Sequence, residues 1–327
     1  MKKCLISVLW MGVLALSLLH GGAARAGFPE RPMTWIVPLA AGGPTDAMTR
    51  SIAKRISEEL NATILIENVT GAGGTIGAMR AASAPNDSYH FLVGHMGFMA
   101  AAPSLYKNLR YDPVKDFEAV IRFPDSPVVL LVPTQSPFRT ASDLIEYAKA
   151  NPGKVNFGTS GVGSMSHLAA ELFAAETGVE IITVPYRGNA PAMADLVAGR
   201  LDAIFDLSNT ALANVKAGWV RPLGVASKQP MEQFEGAPTL DSVIPGFEAV
   251  AWFGLYAPAG TAREHLELIE QAYLKALQDK AFETSLFDQG LQLLPPEDYR
   301  GSSLRYLTIH DAKRWAEVVR RANLQPQ

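Results

Sequence analysis

Two short stretches carry residue types that can hold an anion: Gly42-Gly43-Pro44-Thr45-Asp46 and Thr159-Ser160-Gly161-Val162-Gly163-Ser164. Glycine lets a backbone amide approach a ligand closely, and the hydroxyls of Thr45, Thr159, Ser160 and Ser164 add donors. Where such a stretch leads from the carboxyl end of a strand into a helix, free amides and the positive end of the helix dipole meet at one place. Two such turns facing each other grip a small anion from both sides. A carboxylate buried without partners is prohibitively costly, so a pocket for one supplies either a cation or several oriented donors. The composition of these turns points to donors. Arg187, in Tyr186-Arg187-Gly188, is the one cation near the expected mouth, and Asp206 closes a short strand on the same side.

Competing chemistries fail on spacing. Gly158-Thr-Ser-Gly-Val162 lacks the final glycine that a hydrolase nucleophile elbow needs. Gly71-Ala-Gly-Gly-Thr-Ile-Gly77 places Ile76 where a dinucleotide fingerprint needs its last glycine, so a structural turn is expected there. His167 and Glu171 stand one helical turn apart, but no second histidine or carboxylate cluster joins them into a metal site. The other histidines beyond residue 26 (90, 95, 265 and 310) form no acid–base constellation either. No enzyme, no cofactor and no metal are expected. With the leader removed, 26 basic and 32 acidic residues leave a charge of −6, which gives no footprint for nucleic acid or an anionic membrane.

The elements that must position these turns alternate between strand and helix. Residues 34–38 read as a first strand, and after the Gly-Gly-Pro turn a helix over 45–60 places Met48, Ile52, Ile56 and Leu60 on one face. Strands over 64–67 and 90–94 with a helix over 78–82 continue a first lobe. An apolar strand over 128–132 crosses to a second lobe, which holds helices over 141–150 and 166–176. Its strands run over 155–158, 181–184, 203–205 and 223–226, and Asn189 caps a helix that tolerates Pro191 in its first turn. A stretch over 249–257 returns the chain, and amphipathic helices built on Leu266, Ile269, Tyr273 and Leu277 and over 304–322 follow. The expected lobes are 27–126 with 254–327, and 127–253.

The first residues read as an export leader: Lys2 and Lys3, an apolar run over 4–19, and the small-x-small pattern Ala24-Arg25-Ala26, with cleavage after Ala26. The run is too short to span a membrane, and Cys4, the only cysteine, leaves with it. The remaining 301 of 327 residues suffice for two lobes of ordinary size.

Beyond these readings, the sequence resembles the substrate-binding proteins of tripartite tricarboxylate transporters, the Bug receptors. The matching stretches are Ile36-Val-Pro-Leu-Ala-Ala-Gly-Gly-Pro-Thr-Asp46, Glu67-Asn-Val-Thr-Gly-Ala-Gly-Gly-Thr-Ile-Gly77, Tyr111-Asp-Pro-Val-Lys-Asp-Phe117, Phe157-Gly-Thr-Ser-Gly-Val-Gly-Ser164 with His167-Leu-Ala-Ala-Glu171, Val184-Pro-Tyr-Arg-Gly-Asn-Ala-Pro191 and Trp252-Phe-Gly-Leu-Tyr-Ala-Pro-Ala-Gly260. The resemblance implies a two-lobed type II periplasmic-binding fold, α/β with a mostly parallel sheet in each lobe, closing on an organic carboxylate. It also implies a periplasmic receptor that delivers its ligand to a permease of one small and one large subunit; separately, with no metal or nucleotide motif in the sequence, a monomer is expected. A sensor that presents its ligand to a signalling protein is the alternative role. Ligand contacts are expected from Gly43, Pro44, Thr45, Asp46, His95, Phe98, Thr159, Ser160, Gly163, Ser164, Tyr186, Arg187 and Asp206.

One stretch departs from the family pattern. His95-Met-Gly-Phe-Met-Ala-Ala-Ala-Pro103 has Phe98, Met99 and Ala102 where Thr, His and Asn are common. Loss of hydrogen-bonding side chains and gain of a ring and a thioether favour a flat, apolar acid: an aromatic mono- or dicarboxylate, terephthalate-like, over an aliphatic di- or tricarboxylate.

Overall fold

The computed structural model describes residues 27–161 and 164–321. The expected leader with its cleavage point after Ala26, and Val162 and Gly163 of the second turn, lie outside the described residues. The chain divides into a unit ending at Glu30 and a body that begins at Arg31. Residues 27–30 carry no helix or strand.

The body holds two sheets. The first contains β1 (Met33–Val37), β2 (Ile64–Asn68), β3 (His90–His95), β4 (Phe117–Arg122) and β11 (Phe253–Pro258), in the order β2-β1-β3-β11-β4. The second runs β10-β5-β8-β6-β7, from β5 (Ser126–Pro133), β6 (Val155–Thr159), β7 (Ile181–Pro185), β8 (Ala203–Leu207) and β10 (Val250–Ala251), with β9 (Val220–Val225) also paired to β5. The pairs β1–β2, β1–β3, β6–β7 and β6–β8 are parallel. The pairs that β5 and β11 make are all antiparallel, so each sheet is mixed. The reason lies in the crossings. Parallel pairing needs a long connection, usually a helix. Only residues 123–125 separate β4 from β5, and only Trp252 separates β10 from β11. One strand leaves the first sheet, the other returns to it, and they lie side by side in opposite directions.

Helices cover the sheets. In chain order they are α1 (Pro44–Leu60), α2 (Thr75–Ala82), α3 (Ala102–Leu105), α4 (Ala141–Ala150), α5 (Met165–Thr177), α6 (Asn189–Val197), α7 (Ser208–Lys216), α8 (Arg263–Ala276), α9 (Lys280–Asp288) and α10 (Gly301–Arg321). Met48, Ile52 and Ile56 of α1 are buried, as the four-residue period requires. A capping box closes the start of α4: Thr140 accepts from the Asp143 amide, and Asp143 accepts from the Thr140 amide. Asn189 does not cap α6. Gly188 holds the cap position and Asn189 is the first helical residue, which frees its side chain for Asp206.

The core follows the sheets. Trp35 stacks on Phe123 and meets Phe91 edge-on in the first, while Phe157, Phe173, Phe205 and Phe247 form a continuous aromatic cluster in the second. Helix α10 seats directly on β4 and β11. A side chain at Gly254 would collide with Leu304, and one at Gly301 with the Ala119 carbonyl. At the crossing, Arg122 reaches Asp125 at 2.5 Å, the Asp125 and Gln292 backbones exchange two hydrogen bonds, and Trp252 Nε1 donates to Asp311 at 2.6 Å. Among the described residues no helix is long and apolar enough to cross a membrane.

Candidate functional site

The carboxyl ends of β1, β3, β6 and β8 open onto a cleft of about 510 Å³, within the ordinary size range for small-molecule sites. From the first sheet it is lined by Leu39, Ala40, Gly43, Pro44 and Thr45 after β1, by Gly73 after β2, and by His95, Gly97, Ala102, Leu105 and Tyr106 after β3. From the second come Ser160, Ser164, Met165 and Ser166 after β6, Gly188 and Asn189 after β7, and Phe205, Asp206, Leu207 and Thr210 around the end of β8.

Four helices begin here, because the cap residues of α1, α5, α6 and α7 (Gly43, Ser164, Gly188 and Leu207) all line the cleft. Their free amides and dipoles favour negative charge. No lysine or arginine stands among the described lining residues. The turn before α1 is pinned from behind by Asp46, which is 2% exposed and accepts from the Gly42 amide (2.9 Å), Arg50 Nε (2.8 Å) and Asn68 Nδ2 (2.9 Å). Burial pushes its carboxyl up, but the bonds from Arg50, Gly42 and Asn68 outweigh that and hold it below the usual carboxylate range. Gly42 sits at φ +75°, a conformation open to glycine.

The turn before α5 is tied together by its own hydroxyls. Ser166 Oγ accepts from the Ser160 amide at 2.8 Å and lies 2.9 Å from Ser160 Oγ and 3.0 Å from Ser164 Oγ. Ser164 Oγ donates to the Gly161 carbonyl at 2.6 Å and accepts from the His167 amide at 3.3 Å. His95 lines the same cleft from the end of β3. Its Nδ1 accepts from the Gly97 amide at 3.0 Å, which leaves the ring proton on Nε2, and burial pulls its pKa down to about 4. The ring is neutral at ordinary pH and offers a donor without charge.

Asp206 is 3% exposed. Its Oδ1 accepts from Asn189 Nδ2 at 2.7 Å and Thr210 Oγ1 at 2.5 Å, while Oδ2 is buried without a partner. Burial raises its pKa to about 6 against the hydrogen bonds from Thr210, Asn189 and the Leu207 amide.

Of the residues singled out from sequence, Gly43, Pro44, Thr45, His95, Ser160, Ser164 and Asp206 line the cleft. The other described ones do not. Asp46 braces the turn from behind. Thr159 is wholly buried, with its hydroxyl unpartnered. Phe98 is 1% exposed, packs against His95 at 5.9 Å between ring centres and fills the space beside Gly74. A π turn over Gly97–Ala101 rotates it inward, so the substitution that suggested an apolar ligand belongs to the wall's backing. The Tyr186 hydroxyl donates to Asp195 at 2.7 Å, and Arg187 is exposed and is not among the lining residues. Sequence reasoning missed Leu39, Leu105, Tyr106, Met165, Ser166, Asn189, Phe205, Leu207 and Thr210. Thr210 and Ser166 had a readable signal: each lies in the first turn of a helix that follows a strand end. Gly77 of the 71–77 turn is structural, since a side chain there would meet the Val69 carbonyl and Pro38, while Gly73 of the same turn lines the cleft.

Residues 48–324 match the family described as the tripartite tricarboxylate transporter family receptor. Protein BugT of Bordetella pertussis is 32% identical over 297 residues, 90% of this chain and 90% of that one. A protein from the tcbD–tcbE intergenic region of Pseudomonas sp. strain P51 is 39% identical over 252 residues, 76% of this chain and 75% of that one. Among solved structures, R. palustris Rpa4515 with adipate superposes with a TM-score of 0.84 at 32% identity, covering 92% of this chain and 100% of the other. MatC from Rhodopseudomonas palustris with bound malate gives 0.80 at 34% identity, covering 89% and 100%. The periplasmic binding protein BugD gives 0.81 at 33%, covering 92% and 100%.

Proposed function

The chain belongs to the tripartite tricarboxylate transporter receptor family, whose members bind solutes in a two-lobed fold and are not enzymes, and from that premise we propose that it captures an organic carboxylate with a plain apolar frame. An aromatic mono- or dicarboxylate, terephthalate-like, is favoured. The observation that carries this reading is the character of the cleft: four helix starts and no lysine or arginine among the described lining residues, with walls of Leu39, Leu105, Tyr106, Met165, Phe205 and Leu207. The amides suit a carboxylate. The apolar walls suit carbon rather than hydroxyl, and the three serines already bond to one another, leaving few donors for a hydroxylated acid. Adipate, present with Rpa4515, is an acid with bare methylenes. Malate, bound to MatC, is an aliphatic acid that carries a hydroxyl.

The receptor works in the periplasm after cleavage behind Ala26, as a monomer, and hands its ligand to a permease of one small and one large membrane subunit. Its lobes divide near 126/127 and 253/254 and close over the ligand. A calorimetric panel of terephthalate, benzoate, adipate, malate and citrate tests the ligand class. Tighter binding of terephthalate or benzoate than of malate and citrate is expected; tight citrate binding with no heat from the aromatic acids would refute it.

A further inference from the structure

We propose that Asp206 holds a ligand carboxylate through one shared proton, so that a dicarboxylate enters the cleft together with a proton drawn from solvent. The inference rests on the carboxylate-receptor reading and names which acids it favours: those with a second acidic group able to reach the β8 side while the first lies at the start of α1.

Asp206 is an unusual wall for an anion site. Its Oδ1 is engaged by Asn189 and Thr210, and its buried Oδ2 has no partner. A buried carboxylate oxygen left bare is costly and calls for a donor. No lysine or arginine stands among the described lining residues to supply one, and His95 is neutral. Two carboxylates meeting without a cation cannot both stay ionised. One proton placed between Oδ2 and the ligand oxygen turns that repulsion into a short charge-assisted hydrogen bond. The balance is simple: a buffer acid gives up a proton on binding and recovers it on release, and no covalent bond changes.

The groups on the elements packed against β8 do not disturb this. On α5, His167 and Glu171 lie 3.5 Å apart. On α6, Asp195 is engaged by Tyr186 and Arg200, and Lys216 ends α7. β5 and β6 carry no charged residue, and Arg187 is exposed in the β7–α6 turn. No charged side chain is among the groups that shift Asp206; burial leads, opposed by neutral donors.

The test is calorimetry of the full exported chain with adipate and terephthalate at about pH 7.5, in two buffers of different ionisation enthalpy. Uptake of nearly one proton per ligand is expected, and the Kd should rise about tenfold per pH unit between roughly pH 6.5 and 8, as linkage to a single proton requires. In Asp206→Asn the side-chain carbonyl keeps the Oδ1 contacts and the amide N–H donates to the ligand with no proton taken up from solvent. Uptake should fall to near zero and the pH slope should flatten, with binding retained at pH 8. A merely structural aspartate would not move that slope. Binding with no proton uptake, or an unchanged slope in the variant, overturns the inference and leaves the receptor reading intact. Absence of binding by any carboxylic acid in the panel removes both.

Discussion

Asp46 and Asp206 are both nearly inaccessible aspartates at strand–helix junctions, and their surroundings drive them in opposite directions. Asp46 receives three donors, one of them an arginine, and stays ionised; Asp206 receives only neutral donors and is pushed up to about 6. Since the folded-state pKa of Asp46 is lowered, its stabilisation is present above the unfolded value of about 3.9 and fades as pH falls through the folded value. Asp46→Asn should therefore cost roughly 1–3 kcal/mol at neutral pH. Urea unfolding should show that difference at pH 7 and a smaller one at pH 3; equal losses at both would contradict the assignment. The two aromatic residues after β3 separate likewise. Phe98→Ala should lower stability by about 3–5 kcal/mol while leaving the preference between benzoate and adipate unchanged, because the ring backs the wall without lining it. Tyr106→Ala should instead weaken an aromatic acid by roughly 1–3 kcal/mol with a small effect on stability. Calorimetry and thermal unfolding on the two variants distinguish these outcomes.

At the scale of elements, helix starts carry the site, and two caps allow stability to be separated from binding. Ser164 caps α5 at the cleft and Thr140 caps α4 away from it. Replacing either by alanine should cost about 1 kcal/mol of stability. Only Ser164→Ala should also weaken ligand binding, because it loosens the serine cluster; an equal affinity loss in Thr140→Ala would rule out that role. The strand–turn–helix units were legible because period and punctuation agreed: the helix over Ala141–Ala150 has the bounds that its apolar face and the Asn-Pro-Gly stop indicate. β4 was missed, since Phe117-Glu-Ala-Val-Ile-Arg122 alternates weakly and its partner β11 lies more than a hundred residues away. The parallel pairs followed from the βα rhythm, whereas the antiparallel ones depend on pairing across the crossings, which no local pattern records. In the site, turns and strand ends could be read from glycines and hydroxyls. Which way Phe98, Tyr186 and Arg187 point could not, because a π turn and a bond to Asp195 decide it.

At the scale of the whole molecule, the proposed closure of the lobes is what would supply the affinity that helix termini alone do not. A helix terminus gives at most about 2 kcal/mol in a partly buried site. A micromolar ligand needs about 8 kcal/mol in total, so burial of the carbon frame between the two sides has to supply much of it. A saturating acid at about a hundred times its Kd should stabilise the protein by roughly 2.7 kcal/mol and reduce its radius of gyration. Differential scanning fluorimetry with small-angle scattering checks both, and stabilisation without compaction would exclude closure. The position of β11 between β3 and β4 reaches further, to the order in which the molecule is assembled. The second sheet is complete once residue 251 is available, but the first keeps two open strand edges until residues 253–258 arrive, and α10 then seals them. During refolding, amides of β5, β6 and β8 should gain protection from hydrogen exchange before those of β3 and β4. The sheet that β1 opens should then be the last to become solid.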